Sequence, residues 1–307
     1  MIPVLDFEAF RSGDRQAFVR DWATACRDTG FVVLTGHGID ADLRRRAFQM
    51  SAAFFGQGDD AKQALSIANN PHNRGYSRIG EEFLDEDSGI RDSKEAFNIG
   101  LDLPPDDPRV VAAEPFRGVN VWPDLPGFRD TMLDYFNAVL ALGVDLHRVI
   151  AADLGVEREF FSPHLNQPLA TLRLLRYPPA TGAPGEIGAG AHTDYGTITL
   201  LTTDGVPGLQ VRPRDGDWID VPQIADAYII NIADLLMRWT NDVYVSTPHR
   251  VLPPPRERYS LAFFLDPNPD SVISALPGTG TPKYPPVTGA DYLASRLNAT
   301  YDHKFGS

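Results

Sequence analysis

Within the stretch AHTDYG, His192 and Asp194 place an imidazole and a carboxylate two positions apart, between a glycine-rich run, GEIGAG, and an apolar one, TITLLT. On an extended strand, residues two apart point to one side, so both would address the same point while Thr193 faces away. A polar turn can contain the same pair, and alone it specifies nothing. His249 in STPHRVL, at the start of a later β run, offers a second imidazole. Two histidines and one carboxylate on adjoining strands of a small barrel form the facial set that leaves positions open on non-haem Fe(II). Zinc is chemically compatible as well, but a zinc hydrolase would also want a general base beside the open position, and the sequence has no HExxH-type element.

Arg258 and Ser260 follow within a few residues, in RERYSLAFFLD. Strand alternation puts Arg258, Ser260, Ala262 and Phe264 on one face and Tyr259, Leu261, Phe263 and Leu265 on the other. An arginine aimed into a barrel requires an anionic partner, because an unpaired buried charge costs several kcal/mol. With the hydroxyl of Ser260 as a second donor, the pair suits one end of a small dicarboxylic acid whose other end reaches a metal.

The elements that must carry these residues show in the periodicity. Residues 14 to 28 place Phe18, Trp22 and Cys26 at steps of four, which predicts an amphipathic helix stopped by Gly30. FVVL (31–34) predicts a short buried strand. A second helix is expected from about Asp40 to Leu65, and a third from about Pro126 to Leu154, ended by Gly155. His37, between two glycines in TGHGI, reads as a turn residue making local hydrogen bonds. Residues 69 to 108 are polar and read as loops with an extended segment, a place for a binding rim. After about residue 170 the period becomes that of short strands: TLRLLRYP, TITLLTTD, GLQVRP, WIDVP, YIINI, HRVL and RYSLAFFLD. Seven or more such strands without intervening helices predict an antiparallel barrel or jelly roll, so the fold class is α+β, with helices packed around the barrel. No low-complexity linker divides the chain, and residues 1–307 read as one unit: a mainly helical portion, 1–165, and a β core with a C-terminal helix or tail, 166–307.

The composition narrows the partners. A formal net charge of −13 without runs of Lys and Arg argues against nucleic acid. The single cysteine, Cys26, reads as buried packing and fits a reducing compartment. With no signal-peptide pattern and no stretch of eighteen uninterrupted apolar residues, the expectation is a cytoplasmic protein with no membrane partner; the oligomeric state is left open, with a monomer favoured.

At this point the sequence resembles the isopenicillin N synthase-like branch of the Fe(II)- and 2-oxoglutarate-dependent dioxygenases. AHTDYGTITLL, YIINIADLLMRWTNDVYVSTPHRV and RYSLAFFLDPN carry the resemblance, and IPVLDF, GFVVLTGHGI, NNPHNRGYSR, KEAFNIG, NVWP and LRLLRYPP extend it over nearly the whole chain. It implies a double-stranded β-helix core of the jelly-roll, cupin-like kind. It also implies Fe(II) on His192, Asp194 and His249, and 2-oxoglutarate on Arg258 and Ser260, with Tyr177 of RYPP at the cosubstrate. Dioxygen would be the co-reactant and ascorbate a stimulant. The implied reaction decarboxylates 2-oxoglutarate to succinate and CO2 while oxidising, most simply hydroxylating, an unactivated C–H bond of a small molecule. Leu175 stands where relatives often have Asn, which removes one polar contact near the cosubstrate; Ala233 and Asp242 stand where glycine is common. Asp194 argues against halogenation, which needs a small residue there to free a position for chloride. Arg173, on the same strand face as Tyr177, is a candidate anchor for an anionic or phenolic substrate or else a barrel arginine paired with a carboxylate; Phe264 is a candidate apolar wall. The segments 69–100 and DYLASRLNATYDHKF are candidates for the rim and a lid. Two alternatives differ in kind: an oxidase of the same fold that uses no 2-oxoglutarate, and a non-catalytic barrel that binds without turnover.

Overall fold

Phe18, Trp22, Ala25 and Cys26 do share the buried face of a helix at Arg15–Asp28, whose start is capped by Asp14 accepting from the Ala17 amide. It ends because Gly30 takes a left-handed φ of 67° in contact with the Val245 carbonyl, where any Cβ would collide. The computed structural model describes residues 1–85, 88–214 and 216–300. Its helices are α1 (Glu8–Ser12), α2 (Arg15–Asp28), α3 (Ala41–Phe55), α4 (Asp59–Gln63), α5 (Pro108–Val111), α6 (Phe128–Leu154), α7 (Asp234–Trp239) and α8 (Gly289–Thr300). Its strands are β1 (Val4–Asp6), β2 (Phe31–Thr35), β3 (Gly75–Ser77), β4 (Glu95–Gly100), β5 (Thr171–Tyr177), β6 (Ala189–His192), β7 (Ile198–Thr203), β8 (Leu209–Val211), β9 (Ile219–Asp220), β10 (Tyr228–Ile232), β11 (His249–Val251), β12 (Arg258–Leu265), β13 (Val272–Ile273) and β14 (Val287–Thr288).

Eight strands form one sheet in the order β1-β2-β10-β7-β12-β5-β4-β3, and β6-β11-β8-β9 form a second; only the β1–β2 pair is parallel. The strands divide the apolar residues between two layers. Odd-numbered Leu261, Phe263 and Leu265 of β12, with Leu172, Leu174, Ile198, Leu200, Ile230 and Ile232, join the helices in one core. Their alternates, among them Leu175, Tyr177, Ile229 and Ala262, join Ala189, Leu209, Val211 and Val251 of the smaller sheet in a second cluster. The first core fastens the helices; the second surrounds a cavity between the sheets.

α6 is long and apolar enough to cross a membrane by length and composition, but here it packs on α2, α3, β7 and β12. Its close approach depends on Gly143, where a Cβ would meet Leu265 Cδ2 at 2.6 Å. From the same helix His147 bonds the Gly143 carbonyl (2.8 Å) and Thr197 Oγ1 (3.0 Å), and burial lowers its pKa to about 4.

Three expectations change. The helix anticipated over 40–65 is two, because Gly56 and Gly58 break it before α4. Residues 69 to 108 hold two strands of the main sheet, and all six residues of β4 are buried. The polarity of β4 hid it: Glu95 is matched by Lys62 (2.9 Å) and Tyr76 (2.6 Å), and Asn98 by Asn73 (2.9 Å). The portion before residue 165, helical as expected, therefore also supplies four strands of the main sheet. Asp242 adopts a left-handed φ of 66° beside Asn241 at 53°, held by bonds to Lys283 and Tyr284, so it occupies without glycine a turn that favours one.

Candidate metal centre and its cavity

β6 and β11 are antiparallel neighbours, and their register sets His192 directly opposite His249, with ring centroids 4.3 Å apart. β6 ends at His192. Asp194 therefore does not share a strand with it; it sits in the turn that follows, pinned where the Asp234 amide at the start of α7 donates to the Asp194 carbonyl (2.9 Å). Thr193 does point away, to the Asp234 carboxylate. The turn brings Asp194 Oδ1 to 3.7 Å from His192 Nε2 and 3.6 Å from His249 Nε2, and one ligand atom from each residue lies within 4.8 Å of the others. Among the described residues this is the one such group found.

The surrounding bonds orient all three. Nδ1 of His192 contacts the Gly190 carbonyl (2.7 Å) and Nδ1 of His249 the Thr247 carbonyl (3.2 Å), which puts the proton on Nδ1 and the lone pair on Nε2. Asp194 Oδ2 accepts from Thr199 Oγ1 (2.6 Å) and Asn231 Nδ2 (2.7 Å), leaving Oδ1 as the free donor atom. Burial holds His192 down to about pKa 3, with the neighbouring His249 adding to it. Burial opposes ionisation of Asp194, yet the facing histidines and the two hydrogen bonds keep its pKa below the ordinary value. A neutral His192 beside an ionised Asp194 is the pairing a divalent ion needs.

The triad opens into a cleft enclosing about 1070 Å³ of empty space, part of it open to solvent. At one end stands Arg258, 1% exposed, on the face of β12 that alternation assigned to it. Its Nε donates to the Val206 carbonyl (3.2 Å), Nη1 to Ser260 Oγ (3.4 Å), its guanidinium lies 4.8 Å from the centre of the Tyr177 ring, and Nη2 has no partner. No carboxylate among the described residues lies within ion-pair distance of it. A buried guanidinium with an orphaned N–H, facing a metal triad across a cavity, fits a bound carboxylate. Leu175 lies opposite Ser260 and lines this end with an apolar group.

Arg173 and Phe264 both line the cavity. Arg173 pairs with Glu82, the barrel-arginine alternative of the sequence reading. Glu82 also takes Lys94 Nζ (2.9 Å), and Lys94 in turn meets Asp92, so two cations and two anions close a buried set on the wall. Asp92 Oδ1 accepts from the Gly190 amide (2.8 Å), tying that set to the strand that carries His192. Sequence reasoning missed Glu82, Asp92 and Lys94, which lay inside a segment read only as rim. It also missed Asn231, whose one signal was a polar residue within the apolar run YIINI. Asn73, Glu82, Leu84 and Asn98 place the 69–100 segment on the cavity, and Leu293 and Leu297 do so for α8. The end of the proposed lid, from residue 301, lies outside the described residues. His37 is a satisfied turn residue, bonding the Asp226 carbonyl (2.7 Å) and the Ile39 amide (3.0 Å), and Cys26 is buried packing.

Comparison with known proteins agrees with this geometry. The pattern of the non-haem dioxygenase N-terminal region, described from morphine synthesis, matches residues 2–125, and that of the 2OG-Fe(II) oxygenase superfamily matches residues 168–267. A 2-oxoglutarate-Fe(II) type oxidoreductase of Emericella nidulans is 38% identical over 97% of this chain and 90% of its own. The clavatol oxidase of Penicillium crustosum is 33% identical over 98% and 96%. A full-length Neurospora crassa protein, solved in complex with α-ketoglutarate and thymine, is 34% identical and superposes with a TM-score of 0.86, covering 97% of this chain and 96% of that one.

Proposed function

Since the chain belongs to the 2OG-Fe(II) oxygenase superfamily and is an Fe(II)- and 2-oxoglutarate-dependent enzyme, we propose that it oxidises, most simply hydroxylates, an unactivated C–H bond of a small-molecule metabolite. The balance is one 2-oxoglutarate, one O2 and one C–H substrate giving succinate, CO2 and the alcohol. In this reading His192 Nε2, Asp194 Oδ1 and His249 Nε2 hold the iron, which when bound supplies dioxygen activation. Arg258 and Ser260 grip the distal carboxylate of 2-oxoglutarate, and Tyr177 backs the guanidinium. Thr199 and Asn231 keep the second oxygen of Asp194 occupied, so the carboxylate presents one atom. The apolar residues of the inter-sheet cluster keep water from the reacting groups.

The observation that carries the reading is Arg258: a fully buried cation, unmatched by any carboxylate of the described chain, across the cavity from three convergent metal ligands. A relative's structure contains thymine, and that supports a compact substrate able to sit beside Phe264 and Arg173. The decisive experiment is turnover of a metabolite library with Fe(II), ascorbate and 2-oxoglutarate, following succinate and product mass together. Succinate without a need for added Fe(II), or oxygen consumption without a need for 2-oxoglutarate, would sink the proposal. So would unchanged substrate-coupled succinate in Asp194→Ala or His249→Ala.

A further inference from the structure

The even-numbered face of β12 continues one step past the strand to Asp266, which also lines the cavity. Its side chain is 4% exposed, Oδ1 is buried with no partner, and neither carboxyl oxygen takes part in a hydrogen bond or ion pair among the described residues. Space for it is reserved: a Cβ on Gly196 would come within 2.6 Å of Asp266 Oδ1, and Gly196 stands two residues after Asp194. Gly196 also lines the cavity, so the carboxyl is beside the metal ligands rather than in a remote core. The same cavity is lined by Phe264, Tyr195, Leu293 and Leu297, with Thr171 and Thr199 opposite Phe264 on the neighbouring strands.

A buried carboxyl without a partner is costly, and other buried carboxylates of this protein, such as Glu95 and Asp194, have theirs. Arg258 poses the same contradiction at the opposite end of β12, where an anion resolves it. At Asp266 a hydrogen-bond donor would resolve it. That donor has to reach a site whose walls include aromatic and aliphatic side chains.

We propose that Asp266 is a substrate-binding residue whose carboxyl accepts a hydrogen bond from an N–H group on the prime substrate, a small molecule otherwise apolar or flat enough to lie against Phe264. The inference rests on the oxygenase reading above and adds the substrate's chemical class. An acceptor oxygen is present on the carboxyl in either protonation state, so N-alkylation should remove this bond while ring shape is kept.

The test uses matched probes on the full chain loaded with Fe(II): thymine against 1,3-dimethylthymine, 2-pyridone against N-methyl-2-pyridone, and indole against N-methylindole. Binding is read by thermal shift with 2-oxoglutarate present and by substrate-coupled succinate. At least one N–H member should bind or be turned over, and its N-methyl partner at least tenfold more weakly. Asp266→Leu, close in shape but without an acceptor, should raise KM for that probe tenfold or more while KM for 2-oxoglutarate moves less than twofold. Asp266→Asn, which keeps an acceptor oxygen, should restore most of the affinity. A structural carboxyl would instead lower the melting temperature when replaced; here Asp266→Leu should melt at or above the wild type. The proposal is overturned if no N–H probe binds, if the N-methyl partners serve equally, or if Asp266→Leu leaves the probe's KM unchanged. Failure of the oxygenase reading looks different: 2-oxoglutarate would then not stabilise the Fe(II)-loaded wild type at all.

Discussion

Replacing Arg258 by Gln separates a cosubstrate clamp from a structural arginine. Two guanidinium nitrogens are committed within the protein and Nη2 is not, so a bound carboxylate would gain the orphaned N–H and share the one now leaning on Ser260. Two hydrogen bonds to a charged group are worth ~1.5–3 kcal/mol each, and the lower value gives ~3 kcal/mol, or roughly 150-fold in Kd for 2-oxoglutarate. Ser260→Ala removes one bond, ~1 kcal/mol, or about fivefold. Thermal unfolding reads both. At 2-oxoglutarate one hundred times the wild-type Kd, wild type gains about 2.7 kcal/mol of stability, whereas a 150-fold weaker variant gains about 0.3 kcal/mol. Without cosubstrate, Arg258→Gln should melt no lower than wild type, since it removes an uncompensated buried charge. Undiminished 2-oxoglutarate affinity in Arg258→Gln, or a steep loss of unliganded stability with normal binding, would refute the reasoning.

Three further outcomes follow from the geometry. Thr199→Val takes one of two donors from Asp194 Oδ2 and should weaken Fe(II) binding by roughly 10–100-fold in anaerobic titration, with the fold intact by circular dichroism. The pKa of His147 is lowered from 6.5 to about 4, so the unfolded chain takes its proton first as pH falls. The stability it protects is whole above pH 6.5 and is lost towards pH 4, in all roughly 3 kcal/mol; His147→Gln should flatten that part of the pH–stability curve measured by urea unfolding. Gly30→Ala forces a side chain into a left-handed turn against the Val245 carbonyl and should cost more than about 1 kcal/mol, read as a lower urea midpoint at unchanged slope.

Alternation made much of this site readable from sequence. Once β12 was recognised, period two placed Arg258, Ser260 and Phe264 together, and β5 did the same for Arg173, Leu175 and Tyr177. Helical spacing located α2 and α6 to within about two residues. What escaped depends on contacts between distant segments. Glu95 and Asn98 fell in a stretch read as loops with an extended segment, because their partners, Lys62, Tyr76 and Asn73, lie elsewhere in the chain. Asp194 was placed on a strand, whereas its position comes from a turn docked on α7. Asp266, an aspartate before a proline, carries the signature of a turn, and only the absence of a partner in three dimensions marks it out.

The eight residues of β12 are also a reading frame. One parity faces the chemistry and the other anchors α6 and its neighbours, so deleting a single residue between 258 and 265 would exchange the two sets at a stroke. Function and folding would then be lost together, with no intermediate phenotype. New specificity in such a chain is open to exchanges at even positions of this strand and to changes in the 69–94 segment and α8, which carry cavity walls without sharing that frame. The strand is the part least free to drift in length, and its borders are where relatives with other substrates should differ.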